Sequence, residues 1–147
     1  MTGLRRIGLV GCVKRKAGSP RPARDLYLSA LFVGRRRYVE RTCSQWWILS
    51  ALHGLVHPDD VLAPYDATLK DVGRPQRREW SRRVLASLDE RAALQWGDVV
   101  EIHAGLEYRD FGLVEGLIHR GVDVVVPTEG MANSGGRRND GPFGVKQ

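Results

Sequence analysis

Long apolar runs are missing from this 147-residue chain; none approaches the 18 or so residues of a membrane span. The first residues lack the apolar stretch of a secretory signal, so a cytoplasmic protein with no membrane partner is the expectation. Cysteine is scarce: Cys12 and Cys43 stand alone, with no CxxC spacing to suggest zinc. If Cys12 closes one parallel strand and Cys43 precedes the next, about 20 Å separates them, beyond disulfide reach. Several catalytic signatures are absent too. Neither GxGxxG nor a P-loop GxxxxGK follows the first strand pattern, and there is no GxSxG elbow or HExxH. The expectation is a protein with no cofactor and no metal.

What is present is ordinary for a soluble domain: 42% hydrophobic and 27% charged residues. The net charge of +6 comes largely from arginine, in Arg35-Arg36-Arg37, Arg77-Arg78, Arg82-Arg83 and Arg137-Arg138. Such an excess suits nucleic acid or an anionic substrate. These groups fall on polar helix faces and not in one tract, so a solvated surface explains them as well.

The organising stretch is Arg6 to Lys16, where the apolar run Ile7-Gly8-Leu9-Val10 stops at Gly11-Cys12 and a basic loop follows. An uninterrupted apolar run reads as a strand buried on both faces, as in a parallel sheet. A helix is expected from Ala23, with Tyr27, Ala30, Leu31, Gly34 and Tyr38 as its buried stripe. A second strand covers residues 45–51 and ends at His53-Gly54. About twenty irregular residues then lead to Pro75 at a first helical position. That helix carries the stripe Trp80, Val84, Leu85, Leu88 and Ala92. Residues 99–102 make a third strand, and a third helix with Tyr108, Phe111, Val114, Leu117 and Ile118 stops at Gly121. A fourth strand covers 122–126.

This alternation predicts a single α/β domain over residues 1–131, three-layered and doubly wound, with a mainly parallel sheet of four to five strands. It would be Rossmann-like or flavodoxin-like, and residues 132–147, rich in Gly and Arg, would form a loose tail.

Parallel strands deliver their carboxyl ends to one edge, where ligands gather. Four ends converge there: Gly11-Cys12, Ser50 to Gly54, His103 to Gly105, and Glu129-Gly130. Cys12 is a candidate nucleophile, since cations and a helix start favour the thiolate; a small packing residue is the alternative. Lys14 and Lys16 could hold an anion. His53 and His103 could move protons or merely anchor their rings. Tyr65, Asp66 and Thr68 occupy the long loop, where Asp66 serves either as a catalytic carboxylate or as a turn cap. Glu129 is the carboxylate nearest a strand end. Asp25, Tyr27, Ser50, Gly54, Gly105, Tyr108 and Gly130 complete the candidate binding set, although dipole complementarity explains Asp25 and core packing explains Tyr108.

With those residues in place, the chain resembles a small bacterial and phage α/β domain family lying near the peroxide-stress protein YaaA. The resemblance rests on residues 11–16, 23–32, 48–56 and 64–69, with weaker echoes at 104–108 and 127–131. It implies a nucleotide, modified-base or DNA-damage context. Departures are the tail, where Asn133-Ser134-Gly135-Gly136 replaces a short helix, and His53, where an aromatic is more usual. A pocket wall would then be absent, or supplied by a second subunit of a homodimer. The leading expectation is an enzyme acting on a nucleotide, nucleoside or modified base at its N-glycosidic bond. Asp66 or Glu129 would stabilise the anomeric carbon and lysines would hold phosphate. The rival expectation is a DNA-binding protein using the arginine-rich faces.

Overall fold

In the computed structural model, which describes residues 5–127, the apolar N-terminal run becomes the central strand of a five-stranded sheet. The strands are β1 (Arg6–Gly11), β2 (Arg21–Pro22), β3 (Gln45–Ser50), β4 (Gly54–Val56), β5 (Val61–Leu62), β6 (Val99–His103) and β7 (Asp123–Val125). The helices are α1 (Ala23–Leu26), α2 (Ala30–Thr42), α3 (Arg74–Ser87), α4 (Leu106–Arg109) and α5 (Leu113–His119). The sheet order is β4-β3-β1-β6-β7; β2 and β5 form a separate two-stranded piece. Every neighbour in the large sheet pairs parallel except β4, which runs back against β3. The fold is therefore mixed α/β around a mostly parallel sheet.

Register explains why both faces are apolar. Leu9 pairs with Trp47 and Ile102, and together with Ile7, Leu49 and Val100 these residues face Trp80, Val84 and Leu88 of the α3 region and Leu113 and Leu117 of α5. The alternate positions Val10, Ile48 and Val56 face Leu26, Phe32 and Val39 from α1 and α2. Side chains one residue apart point to opposite faces of a strand, so a continuous apolar run serves two cores at once.

Several elements follow the sequence closely. Pro75 opens α3, and Trp80, Val84, Leu85, Leu88 and Ala92 are all buried, the last two on a π turn over Leu88–Ala92. Gly121 follows the end of α5. Others need correction. The first helix is not continuous, because α1 stops after one turn and Ser29 caps a new start, its hydroxyl accepting from the Phe32 amide at 3.1 Å. Such a cap is worth about 1 kcal/mol, and it resets the helical phase. Phe32 and Val39 therefore face inward, while Leu31 (56% exposed), Gly34 and Tyr38 turn outward.

The third helix is likewise split. Gly112, at φ +120°, makes a turn that side-chain-bearing residues avoid, and Ile118 ends exposed. The long connection after the second strand is also more ordered than expected. It folds into the β3–β4 hairpin, strand β5 and a 3-10 turn at Leu69–Asp71. The expected tail, 132–147, lies outside the described residues.

Candidate functional site

From β1 the chain goes first to β3 on one side and later to β6 on the other, so the ends of β1 and β6 flank a point where strand order reverses. Open α/β sheets bind ligands in the crevice at such a point. Gly11 and Ala104 close against each other there, and a Cβ on Gly11 would stand 2.9 Å from that of Ala104. A cleft of about 580 Å³ opens above them, the size of a small-molecule site. Gly11, Cys12 and Gly105 line it from the strand ends, Tyr108 from α4, Asp66, Thr68, Lys70 and Asp71 from the loop before α3, Lys14 from the loop after β1 and Arg35 from α2.

Cys12 is pinned from several sides. Its amide donates to the Leu49 carbonyl at 2.9 Å, its Sγ accepts from the Ala51 amide at 3.4 Å, and the Tyr108 hydroxyl stands 3.3 Å from the sulfur. Burial pushes the Tyr108 phenol above its ordinary range, and Cys12 beside it adds to that shift. Tyr108 therefore keeps its proton at neutral pH and presents a hydrogen-bond donor. Its ring rests edge-on against Trp80, centroids 5.4 Å apart, and the Trp80 indole donates to the Ser50 carbonyl at 2.8 Å. One core tryptophan thus props both the β3 end and the cleft floor.

Beside the cleft, at the ends of β1 and β3, lies a second cluster. The Tyr27 and Tyr65 hydroxyls are 2.6 Å apart, Tyr65 is 2.8 Å from Ser50 Oγ, and that oxygen accepts from the His53 amide at 2.9 Å. The Lys16 ammonium sits 4.4 Å from the centre of the Tyr65 ring and donates to the Lys14 carbonyl. Burial pushes the Lys16 amine down, with Cys12 and Asp66 opposing. Burial raises both phenols, so these hydroxyls also stay protonated.

The cleft thus gathers Gly11, Cys12, Lys14, Asp66, Thr68, Gly105 and Tyr108 from the sequence-expected set. Lys16, Tyr27, Ser50, His53 and Tyr65 form the adjoining cluster, with the His53 ring edge-on to Tyr65 and exposed. Three residues stand apart. Asp25 is ion-paired to Arg36 at 3.2 Å on the α1–α2 surface. Gly54 begins the returning strand β4 under Arg83 and Val84, because the chain reverses there instead of entering a loop.

His103 is the third: it lies beneath α2, outside the cleft lining. It is 2% exposed, its Nε2 is 3.0 Å from Glu101, and its ring lies against Tyr38. Glu101 in turn pairs with Arg6. Alternation along β6 causes this, because His103 shares the face of Glu101 and Ala104 takes the other. Burial pushes the His103 imidazole below its usual value; Glu101 opposes, and the Arg35 and Arg6 charges add. Glu129 and Gly130 lie outside the described residues.

Sequence reading missed Arg35, Lys70, Asp71 and Glu107. Arg35 was hidden in an arginine run that looks like solvated surface, yet its Nε is buried with no hydrogen-bond partner. Glu107 folds back over Gly105, its carboxylate 2.9 Å from where a Cβ would sit there and 4.0 Å from the Lys70 ammonium. A carboxylate two residues beyond a strand-end glycine was the available signal. Among the described residues no group of three or more His, Cys, Asp or Glu side chains could hold a metal ion, and no helix is long and apolar enough to cross a membrane.

Comparison with known proteins gives a family and one relative. The profile of a family of unknown function, DUF6884, matches residues 7–139. The uncharacterized protein YfjM of Bacillus subtilis (strain 168) is 30% identical over 105 residues, covering 62% of this chain and 69% of YfjM. No solved structure matches. Neither finding connects the chain to YaaA.

Proposed function

For a chain that belongs to DUF6884, a family of unknown function, we propose an enzyme that binds a nucleotide or nucleoside in the switch-point cleft and breaks its N-glycosidic bond. The observation carrying this reading is the pairing of carboxylates with a protonated phenol in one cleft. Asp66 and Glu107 line it together with Tyr108. Reading the sheet as doubly wound and Rossmann-like supports the location.

Water attacks the anomeric carbon as the C–N bond breaks, and the bond's electron pair leaves on the base nitrogen. One carboxylate takes the water's proton, while the second faces the positive charge that develops on the sugar. The proton is delivered to the departing base, and the Tyr108 hydroxyl hydrogen-bonds that base. Cys12 sets the position of Tyr108 from below. The sequence-expected Glu129 is a further candidate carboxylate.

The test is chromatography of products after incubation with a panel of nucleotides, nucleosides and modified nucleosides. Released free base is expected, lost in Asp66→Asn or Glu107→Gln. No base from any member of the panel overturns the reaction.

A second reading, nucleic-acid binding, is favoured by Arg74, Arg78 and Arg82, exposed at four-residue spacing along α3. It requires binding to DNA whose affinity falls steeply with salt. Absent or salt-insensitive binding excludes it.

A further inference from the structure

We propose that Arg35 is the anion anchor of the cleft, and that the ligand is a phosphomonoester, a nucleoside 5′-monophosphate in preference to the neutral nucleoside. The inference rests on the proposed nucleotide reading and sharpens its substrate.

Two adjacent residues of α2 differ in what holds them. Arg36 is held by two carboxylates and a carbonyl: its Nε meets Glu40 at 3.1 Å, and its NH1 donates to the Arg24 carbonyl at 2.8 Å and meets Asp25 at 3.2 Å. Arg35 lines the cleft and keeps its Nε buried without an acceptor. A guanidinium does not shed its proton, so burial cannot be relieved by neutralisation. Its electrostatic neighbours make matters worse. Arg109 is a like charge close enough to disfavour the cationic form, after burial itself, and Arg35 in turn disfavours protonation of His103.

Arg109 meanwhile has its Nε on the Ala104 carbonyl at 3.0 Å, so it helps hold the β6 end beside Arg35. Lys14 and Lys70 line the same cleft, Lys70 within 4.0 Å of Glu107. Among the described residues no carboxylate or carbonyl holds the Arg35 guanidinium, so its charge stays available to a ligand in the cleft that it lines. A half-buried guanidinium beside a like charge selects an anion, and its planar fork fits the oxygens of phosphate. The carboxylates of the cleft, Asp66, Asp71 and Glu107, penalise a ligand that is anionic along its whole length. A ligand with one charged end and a neutral, hydroxyl-rich remainder satisfies both conditions. A cleft of about 580 Å³ has room for it.

Calorimetric titration tests this with inorganic phosphate, with purine and pyrimidine nucleoside 5′-monophosphates, and with the matching nucleosides. Monophosphates should bind about tenfold or more tighter than their nucleosides, the share of one charge-assisted pair. Arg35→Met should erase that advantage, Arg35→Lys should keep part of it, and Arg37→Met, on the exposed side of α2, should leave it intact. Melting temperatures of the variants confirm that they fold. Equal affinity for nucleotide and nucleoside, or an advantage that survives Arg35→Met, overturns the proposal. Arg35-dependent binding of inorganic phosphate with no gain from the nucleoside overturns the nucleotide assignment. Arg35-dependent nucleotide binding without base release sinks the reaction alone. Base release indifferent to the phosphate and to Arg35 sinks the anchor alone.

Discussion

At the ends of β1 and β3 the hydroxyls of Tyr27, Tyr65 and Ser50 reach one another at 2.6 and 2.8 Å, and the His53 amide closes the series. A short way along the same rim, between β1 and β6, Arg35 keeps a buried Nε with nothing to accept from it. One corner is internally satisfied and the other is not. The difference separates a support from a binding surface, because a satisfied network gains nothing from a ligand while an unsatisfied donor does. Both corners hang on the same residue, Trp80, which donates to Ser50 and carries the edge of Tyr108.

Breaking that shared support has the largest expected effect. Trp80→Ala should cost about 3–5 kcal/mol, the usual range for a large buried aromatic, and weaken ligand binding as well. Chemical denaturation measures it, and a loss under about 1 kcal/mol would show that the corners do not share Trp80. Tyr65→Phe breaks one corner only. It strands the Tyr27 hydroxyl, leaves Ser50 Oγ only the His53 amide, and should cost about 1–3 kcal/mol, while phosphate affinity in the cleft stays put. A matching fall in affinity would join the two corners into one site.

His103 belongs to neither corner and serves as a control. Its folded-state value lies below the unfolded one, because burial favours the neutral ring. The unfolded chain therefore binds more protons at mildly acid pH. The stabilisation is complete above about pH 6.5 and is lost as pH falls toward the lower folded value, at no more than about 1.4 kcal/mol per pH unit for one proton. Denaturation midpoints across pH 5–8 should show that slope, and His103→Gln should flatten it. Smallest is Arg35→Met, which should leave stability unchanged or raise it by up to about 1 kcal/mol, since it relieves a half-buried cation with no acceptor for its Nε. A destabilisation of about 2 kcal/mol would instead make Arg35 a structural residue.

What could be read from the sequence follows the same division. Uninterrupted apolar runs located β1, β3 and β6 and a three-to-four spacing located α3, because a strand buried on both faces is apolar throughout and a helix buries one stripe. Convergence of the strand ends put Cys12 and Gly105 at one cleft, to which Asp66 and Thr68 come from the long loop and Tyr108 from α4. Phase was harder. Ser29 and Gly112 interrupt helices through a cap and a turn that hydrophobic spacing does not register, so Leu31 and Ile118 were given to the core and are exposed. The β3–β4 hairpin turns at Ala51-Leu52-His53 with none of the Asn-Gly or Asp-Gly dipeptides that announce such turns. Arg35 was illegible for a different reason: three arginines in a row carry no mark of which one a fold will set against the cleft.

Tyr65 stands in the middle of a file of three hydroxyls, and such a file has a direction. Hydrogens can point from Tyr27 toward Ser50 or from Ser50 toward Tyr27, since either oxygen in each contact is able to donate. Tyr65 passes on one hydrogen and receives one, so the order reverses as a unit and not piecemeal. Both orders use the same oxygen positions. The rim can therefore hold two electrical polarities in one heavy-atom arrangement, and a charge arriving near Lys16 would tip the balance between them without displacing a side chain.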